Sequence, residues 1–441
     1  MNTFILCLGL SILLIYIVFI KRISIIGPAV LFISMFFLNA LFYLMCVPSL
    51  PDISMNTALL VLTDCVVFYF FSELKIKIKS RRSRITQRKV SEMTKERAYI
   101  KVPNYKLLFF LIFSGLSLII YFQSVKNVVS MAGMGINSIA SIMVGYTELA
   151  KFTTENVSLP IYAKLFEEVV YLGGIVLGFI QINNYFAKGK KSISPIIICT
   201  IVISVLISLI TGSRSDAVKL IIALAVIFLA YTLVYSTKAK ARKSITKVGG
   251  LFLLIILSFK MVGNLMGRGN TRTLIDTLLM YIGGPLKCLD LSITKELLTS
   301  DLPGQLTFAY QYRNIANIFG YSNLIYDTSL PFQVLNGRDL GNVYTAIAVL
   351  VVDFGVVVSV FLIAFMGWVC GLLFRKFKES IVMDAKPMWI LIYSSLTYHI
   401  IMDGFSEKFY GFVLSPMFIR NIIWFYLLIK FFTKKYERVF S

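Results

Sequence analysis

The chain has 441 residues, of which 58% are hydrophobic and 15% charged, with a mean hydropathy of +0.81 and a formal charge of +22. Soluble globular chains run about 45–50% apolar and about 25% charged. The excess here lies in apolar blocks of sixteen or more residues, the length that crosses a bilayer. A soluble enzyme is excluded, and the composition predicts an all-α polytopic membrane protein whose single integral domain covers residues 1–441. No short period repeats, which excludes collagen and solenoid architectures.

Eleven transmembrane helices are expected. In chain order they run from Thr3 to Ile20, Ser24 to Val47, Met55 to Phe71, Leu107 to Phe122, Ile161 to Ile180, Pro195 to Thr211, Ala217 to Tyr235, Val248 to Leu265, Val356 to Phe374, Pro387 to Met402 and Leu414 to Ile429. The first has no basic flank before it and no small-residue cleavage site after it, so it is expected to be a retained helix.

Six alternate connections, at residues 21–22, 75–106, 188–191, 238–247, 375–386 and 430–438, carry 30 of the 44 Lys and Arg residues. The positive-inside bias reads such loops as cytoplasmic, placing the N-terminus outside and the C-terminus inside. The basic stretch at 73–106, with its Lys79–Arg84 run, is then a cytoplasmic stop-transfer segment touching anionic headgroups. Most of the net charge is thus an orientation signal, and nucleic acid is not an expected partner.

Two external segments are long, residues 123–160 and 267–341. Loops beyond about 12–15 residues in compact proteins are usually functional or disordered. The second is too rich in Leu, Ile, Tyr and Phe to be disordered and is expected to fold as short helices capping the bundle's outer mouth. Five of the six cysteines lie in or beside spans and only Cys288 is external, so no disulfide framework or metal cluster is expected. His399 is the sole histidine.

Arginines gather on the outer face, against the positive-inside bias. Arg214 lies in the short turn Gly212-Ser213-Arg214-Ser215-Asp216, at the start of a helix, where free backbone N–H groups and a guanidinium fork both favour phosphate oxygens. A capping box from Ser213 to Asp216 explains the serine and aspartate but not the arginine. Arg268 and Arg272 follow the eighth span, Arg313 lies in the run Tyr310-Gln311-Tyr312-Arg313-Asn314, and Arg338 in Asn336-Gly337-Arg338-Asp339. For each alone, a solvated or lipid-paired arginine is as good a reading as an anion site. Together they would give one mouth several anion forks.

Charged residues inside spans default to a functional hypothesis. Here they are Asp64, Glu167, Glu168, Lys219 and Lys260, as a structural ion pair such as Asp64 with Lys260 or as proton or ion coupling in a transporter. Asp403 and Glu407 close the tenth span; on a helix they would share a face. Neighbouring carboxylates can raise one another's pKa and leave a general acid or base near neutral pH.

The stretch Gly341-Asn342-Val343-Tyr344-Thr345-Ala346, followed by Val352-Asp353-Phe354-Gly355-Val356-Val357, resembles the Asn-x-Tyr-Thr … Asp-Phe-Gly signature of the Wzy (O-antigen polymerase) family, bacterial oligosaccharide repeat-unit polymerases. The Gly212-Ser213-Arg214-Ser215 turn is similar to that family's Gly-Ser-Arg-Ser turn, and Arg268 to Gly284 fits its Arg-x15-Gly spacing. The resemblance implies a GT-C-type glycosyltransferase-like bundle in the bacterial cytoplasmic membrane, joining undecaprenyl-pyrophosphate-linked oligosaccharides without metal or cofactor. It implies a chain-length regulator and a flippase as partners beside membrane lipid. Arg214, Arg268, Arg272, Arg313, Arg338 and Tyr344 would then hold pyrophosphate and substrate, and Asp353, Asp403 or Glu407 would be the candidate base. Asp353 has a quieter reading as the cap of the ninth span. The related O-antigen ligases depend on a histidine in the external loop, and none occurs between Gly267 and Gly341. A ligase-like glycan transferase remains an alternative, as does a transporter or flippase for anionic lipid-linked glycans working through Asp64, Glu167, Glu168 and Lys260.

Overall fold

The computed structural model describes residues 1–46, 49–74, 98–152, 159–212, 214–250, 274–321, 330–383 and 387–433. The eighth predicted span, the basic run 79–84, Ser213, Lys260, Arg268 and Arg272 lie wholly or almost wholly outside them. Apart from one two-stranded hairpin, the regular structure among these residues is helical. Six helices are long and apolar enough to cross a membrane, and the protein is an all-α membrane protein.

The first group of helices is α1 (Asn2–Ile15, prolonged by a π-helical turn Tyr16–Ile20), α2 (Pro28–Leu44) and α3 (Met55–Glu73). The second comprises α4 (Asn104–Met131), α5 (Ile139–Phe152), α6 (Ile161–Lys188), α7 (Pro195–Leu209) and α8 (Ser215–Tyr235). The segment that follows holds α9 (Leu274–Leu278), a π-helical turn Leu279–Gly283, α10 (Gly284–Lys295), α11 (Ala309–Phe319) and the hairpin β1 (Gln333–Leu335) and β2 (Arg338–Gly341). The chain closes with α12 (Ala346–Met383), α13 (Pro387–Met402), α14 (Phe409–Val413) and α15 (Pro416–Phe432).

Helix α13 is the axis of the bundle. It packs on α2, α6, α8, α12 and α15, and Ile390–Ser394 and Leu396–Ile400 are all buried. Helices in lipid gain nothing from hiding apolar surface from one another, so they associate through small residues that let backbones approach. Gly367 and Gly371 on α12 form such a pair. A Cβ on Gly367 would stand 2.7 Å from the Phe68 carbonyl oxygen of α3, and one on Gly371 only 2.0 Å from that of Ser72. Arg375, one turn further on, donates to the same Ser72 carbonyl at 3.0 Å, satisfying a group that the helix end leaves open. Gly173, Gly174 and Gly178 play the same part on α6, where added Cβ atoms would meet Phe110, Ser204 and Leu224 at 2.2, 2.5 and 2.4 Å.

Contacts sort the connections into two ends. At one end Tyr393 bonds Ile26, Tyr235 bonds Ile381, and the Asn183 and Asn184 amides bond Ala98 and Ile100. At the other end Asp52 accepts from the Thr3 backbone, Asp290 from Ser54 and Thr57, and Asn39 donates to Gly404. The first end carries the basic connections and the second the long segments, so we call them the basic end and the loop end.

The segment predicted to cap the mouth does contain short helices, but part of it sinks into the bundle. Gly284 to Ser292 is buried throughout, and the Lys287–Asp290 ion pair, 2.7 Å long and almost wholly enclosed, ties it to the Asp52 carbonyl and the start of α3. The hairpin was not expected. Its turn is Asn336-Gly337, both at positive φ, the pairing that two-residue hairpin loops favour.

Gly371→Ala and Gly367→Ala should each destabilise the protein by about 1–3 kcal/mol, the typical cost of overpacking. Gly115→Ala, whose Cβ meets nothing within 4 Å, should be neutral or slightly stabilising. Thermal unfolding in detergent measures all three, and an unperturbed Gly371→Ala protein would refute the close seam.

Candidate functional site

Three predicted carboxylates from two stretches, Asp353 from one and Asp403 with Glu407 from the other, meet at the loop end, and each holds backbone. Asp353 lies in α12 two residues before its break at Gly355, which is non-helical at φ 75°, ψ 167°. It accepts from the Leu306 N–H at 3.3 Å, the Thr307 N–H at 2.7 Å and the Thr307 hydroxyl at 2.6 Å. Asp353 therefore fastens the 302–308 turn to α12 instead of capping the helix that follows, and the segment before it is buried from Tyr344 to Leu350.

Asp403 and Glu407 do not share a helix face, because α13 ends at Met402 and residues 403–408 form a turn. One Asp403 oxygen accepts from the Lys408 and Phe409 N–H groups at 3.0 and 3.2 Å, while the other is buried without a partner among the described residues. Glu407 accepts from Tyr410 and Gly411 N–H at 2.5 and 3.2 Å. Burial, then the charge of Glu407, holds the Asp403 carboxyl well above the usual range. Burial pushes Glu407 up to about 7, with Asp353 adding to it against the two backbone bonds and the charge of Lys408.

A second cluster lies beside this turn, where α6, α8, α13, α15 and α11 converge. Asp216 and Lys219 pair on α8 at 2.7 Å with 39% and 26% of their side chains accessible. Arg420 on α15 donates through Nε to Glu168 on α6 at 2.7 Å and keeps 49% of its side chain accessible. Glu167 stands between these pairs, within the field of Asp216, Glu168, Lys219 and Arg420. Lys219 lies 5.4 Å from the centroid of the Tyr398 ring and is also influenced by Tyr310, and Tyr310 in turn packs over Gly411 beside Glu407. Glu167 and Lys219 are both partly accessible.

The turn carrying Arg214 is held from α5. Gly212 has φ +71°, and a Cβ there would stand 2.3 Å from the Thr147 hydroxyl oxygen and 2.8 Å from the Met143 carbonyl, so glycine is required. Arg214 occupies the N-cap position of α8 with no side-chain cap bond, and Asp216 turns to Lys219. Arg313 is half-buried on α11, which packs on α14. Arg338 sits on β2, near enough to Cys46 to bear on its thiol, away from the Lys219 cluster. Tyr344 is fully buried, its hydroxyl donating to Pro331 at 2.9 Å and accepting from Gln333 at 3.0 Å, so it braces the hairpin. His399 is buried, stacked on Phe412 at 3.8 Å between centroids, with Nδ1 3.1 Å from the Lys408 carbonyl.

Arg420 was missed by the sequence reading, though a lone charge inside an apolar span is itself the signal that would have found it. Among the described residues no group of three or more His, Cys, Asp and Glu side chains is arranged to hold a metal ion. Compared with protein-family models, curated proteins and solved structures, the chain matches none.

Both carboxyls of the 403–408 turn are harder to ionise folded than unfolded, so they favour the folded state while protonated. For Glu407 that contribution is complete below its ordinary value of 4.5 and is lost as pH rises through about 7. Melting temperature should fall between pH 5 and 8, and Glu407→Gln should flatten that fall; an equally steep profile in the variant would contradict this account.

Proposed function

We propose that the protein polymerises undecaprenyl-pyrophosphate-linked oligosaccharide repeat units into a surface polysaccharide at the outer face of the bacterial cytoplasmic membrane. In this reading it is a metal-independent GT-C-type glycosyltransferase of about eleven transmembrane helices. The basic end, with Lys21, Arg22, Lys188, Lys191 and Arg375, faces the cytoplasm under the positive-inside rule, and the loop end faces outward.

The observation that carries this reading is the mixed cluster at the loop end. Cations, carboxylates and tyrosines from helices far apart in sequence gather there, with Lys219 5.4 Å from the Tyr398 ring and Arg420 paired to Glu168 beside Glu167. Glycosyl transfer from a lipid diphosphate releases a stabilised anion, so the protein's task is to orient two lipid-linked chains and to hold positive potential where negative charge grows. Lys219, Arg420 and the neighbouring Arg214 suit that task, while Arg313, on the same helix as Tyr310, and Arg338 on β2 suit the second diphosphate or the passing glycan. The Wzy-like motifs support the same reading, with a modification: Tyr344 and Asp353 serve by shaping the loop end.

A transport reading draws on Asp64, which is wholly buried in α3 with both oxygens lacking a hydrogen-bond partner among the described residues. Such a group could carry a proton or ion. Purified protein that converts lipid-linked repeat units to polymer without a gradient separates the enzyme from a carrier. A ligase-like role is separated in cells, where its loss leaves long polymer on the lipid carrier.

Loss of the protein should leave surface glycan capped with a single repeat unit, with the long-chain ladder gone on a gel. Arg214→Ala and Arg338→Ala should reproduce that pattern at unchanged protein level. An intact ladder in both variants would defeat the proposed mechanism.

A further inference from the structure

Every carboxylate of these two loop-end clusters except one is committed to another group. Asp353, Asp403 and Glu407 hold backbone N–H groups, Asp216 holds Lys219, and Glu168 holds Arg420. Glu167 makes no hydrogen bond with any described residue and remains partly accessible, on the first turns of α6. We propose that Glu167 binds the hydroxyl of the acceptor sugar and takes up its proton, with Tyr171 one turn on along α6 and the Asp216–Lys219 and Glu168–Arg420 pairs as its charged neighbours. This rests on the glycan-polymer reading and names the residue that the reading left open.

The surroundings fit a sugar. A carboxylate accepts hydroxyl hydrogen bonds, and tyrosine rings offer apolar faces with a polar edge. Around Glu167 these are Tyr121 from α4 and Tyr171 from its own helix, with Tyr398 from α13 and Tyr310 from α11 around the adjacent Lys219. Lys219 and Arg420 flank the carboxylate from α8 and α15. They offset the repulsion of Asp216 and Glu168 and supply positive charge on the side where a diphosphate would lie.

The step balances without a co-reactant. The acceptor oxygen forms a bond to the donor's anomeric carbon as the bond from that carbon to the diphosphate oxygen breaks. The lipid diphosphate leaves with the electron pair, and the hydroxyl proton passes to the Glu167 carboxylate. A base acting in this way contributes about 10²–10⁴-fold to rate.

Full-length protein in nanodiscs tests the proposal in two arms. With lipid-linked repeat units, Glu167→Gln should lower kcat by about 10²–10⁴-fold, with KM within a few-fold and an unchanged melting temperature, and Glu167→Asp should recover part of the rate. Dicyclohexylcarbodiimide, which modifies protonated carboxyl groups in apolar surroundings, should leave an adduct on Glu167 by peptide mapping, and free repeat-unit oligosaccharide should suppress it several-fold. A Glu167→Gln enzyme turning over at the wild-type rate, or no protection by the oligosaccharide, would overturn the assignment. A wild-type protein that makes no polymer would defeat the glycan-polymer reading and with it the proton transfer, while the protection arm still decides whether Glu167 faces a sugar site.

Discussion

The close approach of α12 to α3 sets the frame on which the rest is hung. Where Gly367 and Gly371 meet Phe68 and Ser72, backbone lies against backbone, and no side chain larger than hydrogen fits at Gly371 without moving the Ser72 carbonyl. In lipid such a seam rests on dispersion and on satisfied backbone groups rather than on hydrophobic exclusion, and Arg375 completes it by bonding the carbonyl that the end of α3 exposes. With α12 fixed at this depth, its break at Gly355 and Asp353 just above are fixed too. The 302–308 turn, and the α11 helix that follows it, inherit their position from that carboxylate.

The loop end shows polar groups doing two kinds of work. Lys287 with Asp290, Asp52 with the start of α1, and Asp353, Asp403 and Glu407 with their turns each satisfy backbone groups that a helix end or tight turn would leave open. Unsatisfied groups are costly away from water, so these carboxylates are fasteners. The Glu167, Asp216, Lys219 and Arg420 cluster differs in kind. Arg420 pairs with Glu168 across two helices and Asp216 with Lys219 along one, and Arg420, Asp216, Lys219 and Glu167 remain partly accessible.

Legibility followed the range of the interaction that decided each feature. Helix positions came from local hydropathy, and ten of the eleven predicted segments fall on described helices or their ends. The hairpin signal, Asn336-Gly337, was local too, but the neighbouring Arg338 drew attention instead. Asp403 and Glu407 were placed together correctly for a partly wrong reason: the helix face supposed to unite them ends at Met402, and a turn does so instead. The buried course of α10 was not legible, since its apolar residues look alike whether they cover a mouth or enter a core.

By itself the sequence determined that this is a helical membrane protein, which segments are apolar enough to be helices, and that its basic residues concentrate on alternate connections. These follow from composition and short-range periodicity, because lipid requires each backbone donor and acceptor to be satisfied within its own segment. Only the tertiary structure decided which charges work together. Glu167 and Lys219 are 52 residues apart, and Lys219 and Tyr398 are 179 apart. Their meeting depends on how α6, α8, α13 and α15 pack, and side-chain packing between distant helices leaves no periodic trace in a single chain.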